Sequence, residues 1–285
     1  MRWQAKVLKK LSLYINLSAR TQMIRNRKRK THISRAHLML ALGGPVGATY
    51  KLVEAVEKKN IRLLRVVIKA GISQSYLDIA LVDAAKKGHT RCLGLLIDAG
   101  ANVNTKAGDL NNDTALTVAS RKGHVACVRK LLGAGADTSV RRRDLSTALL
   151  GTAQYGQRAS LGLLIEAKAD IEAQNEDGLR ALALAARNGH NDCLKLLLAA
   201  GADIDAVDKQ GNPALALAVM ERRLECVKTL LDAGARVDIE NTDRLIACDY
   251  AESDSELYRM VKEQPILQLG STKLGRQTTA RELTL

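Results

Sequence analysis

The sequence predicts an all-α protein built from stacked pairs of short helices. Three observations support this prediction. Aromatic residues are only 2% of the 285 residues, with no Phe, although large rings usually fill the centre of a compact globule. Glycine-centred phrases return every 33 residues, at Gly135, Lys168, Gly201 and Gly234. Between them, apolar residues recur at helical spacing, and each helical stretch stops at Gly or its replacement.

The composition bounds the class of protein. Apolar residues are 46% and charged residues 26% of the chain, which is typical of a folded soluble protein. No apolar run approaches the roughly 20 residues that a membrane-spanning helix needs. The sequence therefore predicts a soluble protein.

The net charge of +14 is unevenly distributed along the chain. Residues 1–50 hold 11 of the 44 Lys and Arg residues, and the first acidic residue is Glu54. This leaves 33 basic and 30 acidic residues for the rest of the chain, so the body is nearly neutral. Residues 1–50 are therefore interpreted separately, as a basic N-terminal arm.

Each 33-residue unit is predicted to contain two antiparallel helices and a turn. Residues 181–188 and 192–199 show the helical spacing, and 204–212 are polar and rich in turn residues. A single helix pair cannot bury its apolar stripe alone. Stability must therefore come from stacking on neighbouring pairs, with polar outer faces on the end repeats.

The repeated motif resembles that of the ankyrin-repeat family. The family turn and helix start, D-G-x-T-P-L-H-x-A-A-x-x-G-H, is matched by Asp177 to His190, and Ile246 to Ala251 is similar to the terminal T-A-L-D-Y-A. The resemblance implies an ankyrin-repeat solenoid with β-turn fingers over residues 51–263. Its parts are an N-terminal cap (51–73), five repeats (74–104, 105–139, 140–172, 173–205 and 206–238) and a C-terminal cap (239–263).

Several residues depart from the family pattern. Leu145 and Arg244 stand where the finger turn prefers Gly, and Lys168 and Arg222 replace Gly at helix ends. Each should cost on the order of 1 kcal/mol if its φ stays positive. The second finger (105–112) is two residues longer, and its Asn111-Asn112 pair can replace Asp-Gly because Asn tolerates the left-handed region.

The cysteines and histidines are interpreted as repeat elements. Equivalent positions in neighbouring repeats lie about 10 Å apart, too far for a disulfide or shared metal ligation. Unpaired buried thiols favour a reducing compartment. The resemblance implies that each His makes local hydrogen bonds. The repeat-position cysteines are Cys92, Cys127, Cys193 and Cys226, and the histidines are His89, His124 and His190.

The sequence predicts neither an enzyme nor a cofactor. It contains no G-x-S-x-G, no G-x-x-x-x-G-K-[ST] and no H-E-x-x-H. Residues 42–47 lack the lysine of a phosphate loop and are interpreted as a hinge. No metal site and no small-molecule substrate are expected.

The resemblance instead implies protein binding through the concave face and fingers of a scaffold or adaptor. Charged finger tips and first-helix ends are the partner-binding candidates, although each is also consistent with a solvated charge. The arginine triplet suggests an acidic partner or a contact near the arm. The candidates are Arg121, Lys122, Arg141, Arg142, Arg143, Glu176, Asp177, Arg187, Glu221 and Arg222.

The basic arm has three competing interpretations besides an unstructured segment. Residues 2–15 fit an amphipathic helix suited to an anionic membrane, and the lack of acids also resembles a mitochondrial transit peptide. A compact basic run suits nuclear localisation or nucleic-acid contact. The basic run comprises Arg25, Arg27, Lys28, Arg29 and Lys30. The alternative function is thus electrostatic binding of nucleic acid or anionic membrane by the arm.

Localisation is expected to be cytoplasmic or nuclear, alternatively mitochondrial, and residues 264–285 are expected to form a disordered tail.

Overall fold

A computed structural model describes residues 35–106, 112–251 and 256–262. The predicted helix at 2–15, the basic run at 25–30, Asn111 and the tail at 264–285 lie outside these residues. Within the described part, regular structure is helical apart from two isolated β-bridges in fingers. The chain divides into two compact units, residues 1–142 and 143–285, and each is described by itself.

Unit 1 contains three stacked helix pairs preceded by a short helix. In each pair the first helix packs on the first helix of the next pair, and the second helix on the next second helix. The short helix α1 packs on α2 and α3. The helices are α1 (Arg35–Ala41), the pair α2 (Gly44–Glu57) and α3 (Ile61–Ala70), the pair α4 (Gln74–Lys86) and α5 (Thr90–Asp98), and the pair α6 (Ala115–Arg121) and α7 (Val125–Gly133).

The first helix pair begins upstream of the boundary at residue 51 that the charge pattern suggests. Helix α2 starts at Gly44, with Pro45 in its first turn, where the missing proline N–H costs nothing. Ala48 is fully buried together with Leu52. The interpretation of residues 42–47 as a hinge is therefore wrong for Gly44 to Gly47, which form the start of this helix.

Unit 2 repeats the arrangement with three further pairs and a cap. A 3-10 helix (Ala247–Tyr250) packs on the last first helix, and residues 256–262 are helical, with Leu257 and Val261 buried. The pairs are α8 (Ala148–Gln154) with α9 (Arg158–Glu166), α10 (Ala181–Asn188) with α11 (Asn191–Ala199), and α12 (Ala214–Met220) with α13 (Leu224–Asp232).

Alanine and leucine form the core of both units, as the scarcity of aromatic residues predicts. First helices approach closely through alanines such as Ala119 and Ala185, which are fully buried. Leucines such as Leu96 and Leu197 fill the space between first and second helices. Small side chains allow this close stacking, and the flat pairs leave no thick interior for rings.

The expected backbone strain is present. Leu145, Lys168, Arg222 and Arg244 all have φ between 54° and 60°, a left-handed conformation that costs a non-glycine residue roughly 1 kcal/mol. Asn112 has φ 54°, as expected for a residue that replaces the finger glycine. The repeat geometry therefore fixes the backbone at these positions against the preference of the side chains.

Candidate interaction surfaces

Backbone hydrogen bonds hold the fingers of unit 2 together. Glu176 donates its N–H to the carbonyl of Asp144 (2.9 Å), and Lys209 donates to the carbonyl of Asp177 (3.1 Å). Thr242 continues the series by donating to Gln210 (2.9 Å). These bonds leave the side chains of Glu176 and Asp177 exposed. Both acids therefore stand on a finger whose backbone is fixed, as a binding surface requires.

The finger that carries Arg141, Arg142 and Arg143 is different, because one of these arginines is bound to a buried acid. Arg142 donates from Nε to Oδ1 of Asp113 (2.7 Å), and Arg121 donates from Nη2 to Oδ2 (3.2 Å). The Asp113 side chain is 4% exposed and that of Arg142 is 13% exposed. Thr117 also donates to Asp113 Oδ1 (3.2 Å). Arg142 and Arg121, both predicted as partner contacts, therefore neutralise Asp113 inside unit 1.

The remaining charged candidates are more accessible. Arg187 is half-buried, and its carbonyl accepts a hydrogen bond from Nε of Arg223 (3.1 Å). This bond joins the end of α10 to the start of α13 and restricts the Arg187 backbone. The candidates lie on several fingers and helix ends, some in unit 1 and some in unit 2. Those that are exposed are Lys122, Arg141, Arg143, Glu221 and Arg222.

The first helices of unit 1 carry an exposed apolar patch that the sequence pattern alone does not predict. Tyr50 on α2 is 70% exposed and Ile79 on α4 is 46% exposed, and these two helices pack against each other. Exposed neighbours extend the patch along both helices. Exposed apolar side chains grouped on neighbouring helices are typical of protein-binding surfaces. The first-helix apolar patch consists of Val46, Tyr50, Val53, Tyr76 and Ile79.

The spacing of the first two repeats shows which residues of this patch occupy equivalent positions. Lys59 and Gly88, which end the first helices, both have positive φ and lie 29 residues apart. Tyr50 and Ile79 have the same separation, so they occupy one repeat position on neighbouring helices. The degenerate N-terminal cap hides this register, because no Gly marks the end of its first helix.

The histidines link neighbouring repeats. His89 Nδ1 lies 2.8 Å from the carbonyl oxygen of Val56, and His190 Nε2 lies 3.1 Å from that of Gln154. His124 makes the same contact with Lys86 (3.3 Å). Their structural role was expected, but the expectation of local bonds is wrong, because each carbonyl belongs to the preceding repeat. His124 and His190 contact the carbonyl of the last residue of a first helix, where helical hydrogen bonds run out. The Val56 carbonyl at His89 also accepts the N–H of Lys59 (3.2 Å).

The repeat-position thiols are buried and poorly suited to nucleophilic chemistry. Burial raises the pKa of Cys193 and of Cys226 to about 11, and it also raises the pKa of Cys92 and Cys127. A thiol with such a pKa stays protonated at neutral pH, and the protonated form is a weak nucleophile and ligand. In the described part of the chain, no cluster of three His, Cys, Asp or Glu residues could hold a metal ion, and no helix is long and apolar enough to cross a membrane.

Comparisons with known proteins agree with the repeat architecture. The family model of ankyrin repeats in three copies matches residues 52–142 and again residues 149–241. The crystal structure of the human ASB11 ankyrin repeat domain is similar to this chain, with a TM-score of 0.67 and 25% sequence identity. The match covers 75% of this chain and 96% of that one. A comparison with curated proteins found no match.

Proposed function

The chain belongs to the ankyrin-repeat family, and from this premise we propose that it is a non-enzymatic adaptor or scaffold that binds a partner protein through its first helices and fingers. Ankyrin-repeat domains generally mediate protein–protein interaction. The chemistry of the described residues supports a binding role, since their buried thiols are protonated at neutral pH. No cofactor is required for this function.

The first-helix apolar patch is the observation that carries the proposal. Tyrosine supplies a large contact area at a low cost in conformational entropy, and it is enriched among residues that dominate binding energy. Tyr50 and Tyr76 lie on neighbouring first helices with Ile79 beside them. An apolar centre of this kind, bordered by charged residues, has the composition of a protein interface.

The test is a crosslinking screen with the full chain and two matched variants. Tyr50→Ser/Ile79→Ser removes the centre of the patch, and Tyr155→Ser/Leu224→Ser removes two exposed apolar side chains from unit 2. We expect partners of the wild-type chain to be lost with the first variant and kept with the second. If a wild-type chain that circular dichroism shows to be folded captures no partner, or both variants capture the same partners, the proposal is wrong.

A second candidate function uses the N-terminal segment as an electrostatic tether to nucleic acid or anionic membrane. Residues 1–34 contain ten Lys and Arg residues and no acid, which favours polyanions at low salt. A deletion test must end before Arg35, because α1 packs on unit 1. Fluorescent fusions with and without residues 1–34 would distinguish cytoplasmic, nuclear and mitochondrial localisation. A distribution unchanged by the deletion would count against a targeting role.

A further inference from the structure

The two units carry opposite net charge. The described residues of unit 1 include 17 Lys and Arg against 7 Asp and Glu, whereas those of unit 2 include 14 against 18. The near-neutral body expected from the sequence is thus a sum of a basic and an acidic part. The basic residues at positions 1–34 do not account for this excess, because they are not included in the count.

Much of the basic excess lies on the second helices α3, α5 and α7. Six basic side chains are exposed there, and Asp98 is the one acid on these three helices. None of the six forms an ion pair with another described residue. We call this surface the basic helix face. It consists of Arg62, Arg65, Lys69, Arg91, Arg129 and Lys130.

Equivalent repeat positions in unit 2 show that the fold does not require these charges. The second residue of α3 and of α5 is Arg62 and Arg91, whereas α11 and α13 carry Asp192 and Glu225 there. An acid at this position is favoured by the helix dipole, and an arginine is not. Helix stability therefore explains the acids at this position in unit 2. It does not explain the arginines at this position in unit 1.

The face is continuous across neighbouring helices. Helices α3 and α5 pack together, as do α5 and α7. Lys130 extends from α7 towards α5, since a Cβ built on Gly94 would lie 3.3 Å from its Nζ. With neighbouring helix axes about 10 Å apart and 1.5 Å rise per residue, the charges cover about 20 by 10 Å. A duplex segment 20 Å long presents about a dozen phosphates.

The absence of other chemistry on this face narrows the class of partner. The exposed large apolar side chains of the described residues include none on α3, α5 or α7. A protein interface normally has an apolar or aromatic centre, insertion into a membrane needs apolar side chains, and single-stranded nucleic acid is held by aromatic stacking. Binding by charge alone suits the phosphate backbone of a duplex.

The first described helix, α1, lies beside this face. Helix α1 packs on α3, and the Arg35 guanidinium lies against Gly71 at the end of α3. Residues 1–34 precede α1 directly in the sequence, so their effect on duplex binding must be tested separately.

We propose that the basic helix face of α3, α5 and α7 binds double-stranded nucleic acid through its phosphates, independently of base sequence. This inference goes beyond the proposed adaptor function, because it uses the second helices rather than the first helices and fingers. The two proposals can therefore fail separately.

The test measures binding of the full chain to a fluorescent DNA duplex of about 20 base pairs by anisotropy over a range of salt concentrations. Arg65→Gln/Arg129→Gln removes two charges from the face, and the control Lys195→Gln/Lys228→Gln removes two charges from the same repeat position in unit 2. All four side chains are exposed, so thermal melting should confirm that both variants stay folded.

We expect the face variant to bind the duplex about tenfold or more weakly at 0.1 M salt. The slope of log K against log salt should fall in magnitude by about 1.8, as the loss of two phosphate contacts requires. The control should bind as the wild type does. Equal losses in both variants, or no duplex binding by the wild type, would overturn the proposal. So would tighter binding of polyglutamate or anionic vesicles than of duplex.

A third variant separates the face from the arm. It replaces the five charges of the basic run at Arg25, Arg27, Lys28, Arg29 and Lys30 by Gln. If this variant abolishes duplex binding while the face variant leaves it unchanged, the arm alone is responsible and the assignment to α3, α5 and α7 is wrong. Residual binding that still depends on Arg65 and Arg129 supports it.

Discussion

Arg142 donates to Asp113 in the same repeat positions in which Asn241 donates to Asn212. The Arg142 Nε to Asp113 Oδ1 distance is 2.7 Å, and the Asn241 Nδ2 to Asn212 Oδ1 distance is 3.0 Å. One contact between successive fingers is therefore made by a charged pair in unit 1 and by a neutral amide pair in unit 2. Removing one partner should cost more free energy in the charged pair than in the amide pair, because a buried ion without its counter-ion is costly.

Arg142→Ala should lower the free energy of unfolding by about 2–3 kcal/mol, since Asp113 would keep Arg121 but lose its shorter ion pair. Asp113→Asn/Arg142→Asn should recover most of this loss, because it installs the amide pair that the last finger uses. Chemical denaturation of the wild type and both variants measures the difference.

Arg143→Ala is the matched control for Arg142→Ala, since Arg143 belongs to the same triplet and is exposed. Its effect should stay within about 0.5 kcal/mol. Equal destabilisation by Arg142→Ala and Arg143→Ala would show that the ion pair with Asp113 contributes nothing specific.

Lys168→Gly should stabilise the chain by roughly 0.5–1 kcal/mol. Lys168 has φ 58°, whereas Gly135, Gly201 and Gly234 have φ between 80° and 87° at the equivalent helix ends. Glycine removes the Cβ strain, although it also increases the entropy of the unfolded chain. Gly201→Ala is the reciprocal control: a Cβ there meets no atom within 4 Å, so its cost would come from φ alone. Denaturation curves should therefore shift in opposite directions, and shifts in the same direction would contradict the strain argument.

Ser160→Cys should raise the free energy of unfolding by about 1 kcal/mol, or the melting temperature by about 2–4 °C. Ser160 is fully buried, and its Oγ has no hydrogen-bond partner among the residues that the structure describes. Four other repeats hold a buried Cys at this position. Ser160→Ala tests the same polar penalty without the added volume. A fall in melting temperature with both variants would show that the hydroxyl is satisfied, for instance by a water molecule.

The repeat fold and its strained turns could be predicted because they depend on local, periodic signals. Lys168 and Leu145 are predicted to be strained because equivalent positions in other repeats hold Gly, and the structure confirms positive φ at both. The pair of Arg142 and Asp113 was not predictable in this way. Asp113 keeps the 33-residue register with Ser146, Leu179 and Asn212, but these positions hold different residue types. No local motif links an acid there to an arginine in the next finger.

The surfaces were harder to predict than the fold. Tyr50 and Ile79 belong to degenerate or extended first helices, so their exposure follows from packing rather than from a motif. The opposite charges of the two units largely cancel in the sum over residues 51–285 and appear only once the contact pattern divides the chain. Binding sites on repeat proteins depend on which positions face outward together, and a repeat period alone does not rank those positions.

The buried thiols predict a loss of stability at alkaline pH. Cys193 and Cys226 have a pKa of about 11 in the folded chain, against an ordinary value of 9.0. Above pH 9 the unfolded chain therefore releases protons that the folded chain retains, so the free energy of unfolding falls as pH rises towards 11. Below pH 9 the thiols are protonated in both states and contribute no pH dependence.

The measurement compares guanidinium denaturation of the wild type with Cys193→Ala/Cys226→Ala between pH 8 and pH 11. The variant is less stable at pH 8, because each substitution removes a buried sulfur atom. Its stability should nevertheless fall less steeply above pH 9, and the two curves should converge by about 2 kcal/mol per thiol at most. Lysine and tyrosine titration is common to both chains and cancels in the difference. Parallel curves would show that the two thiols ionise equally easily in the folded and unfolded chains, and would remove the physical basis for regarding them as inert core residues.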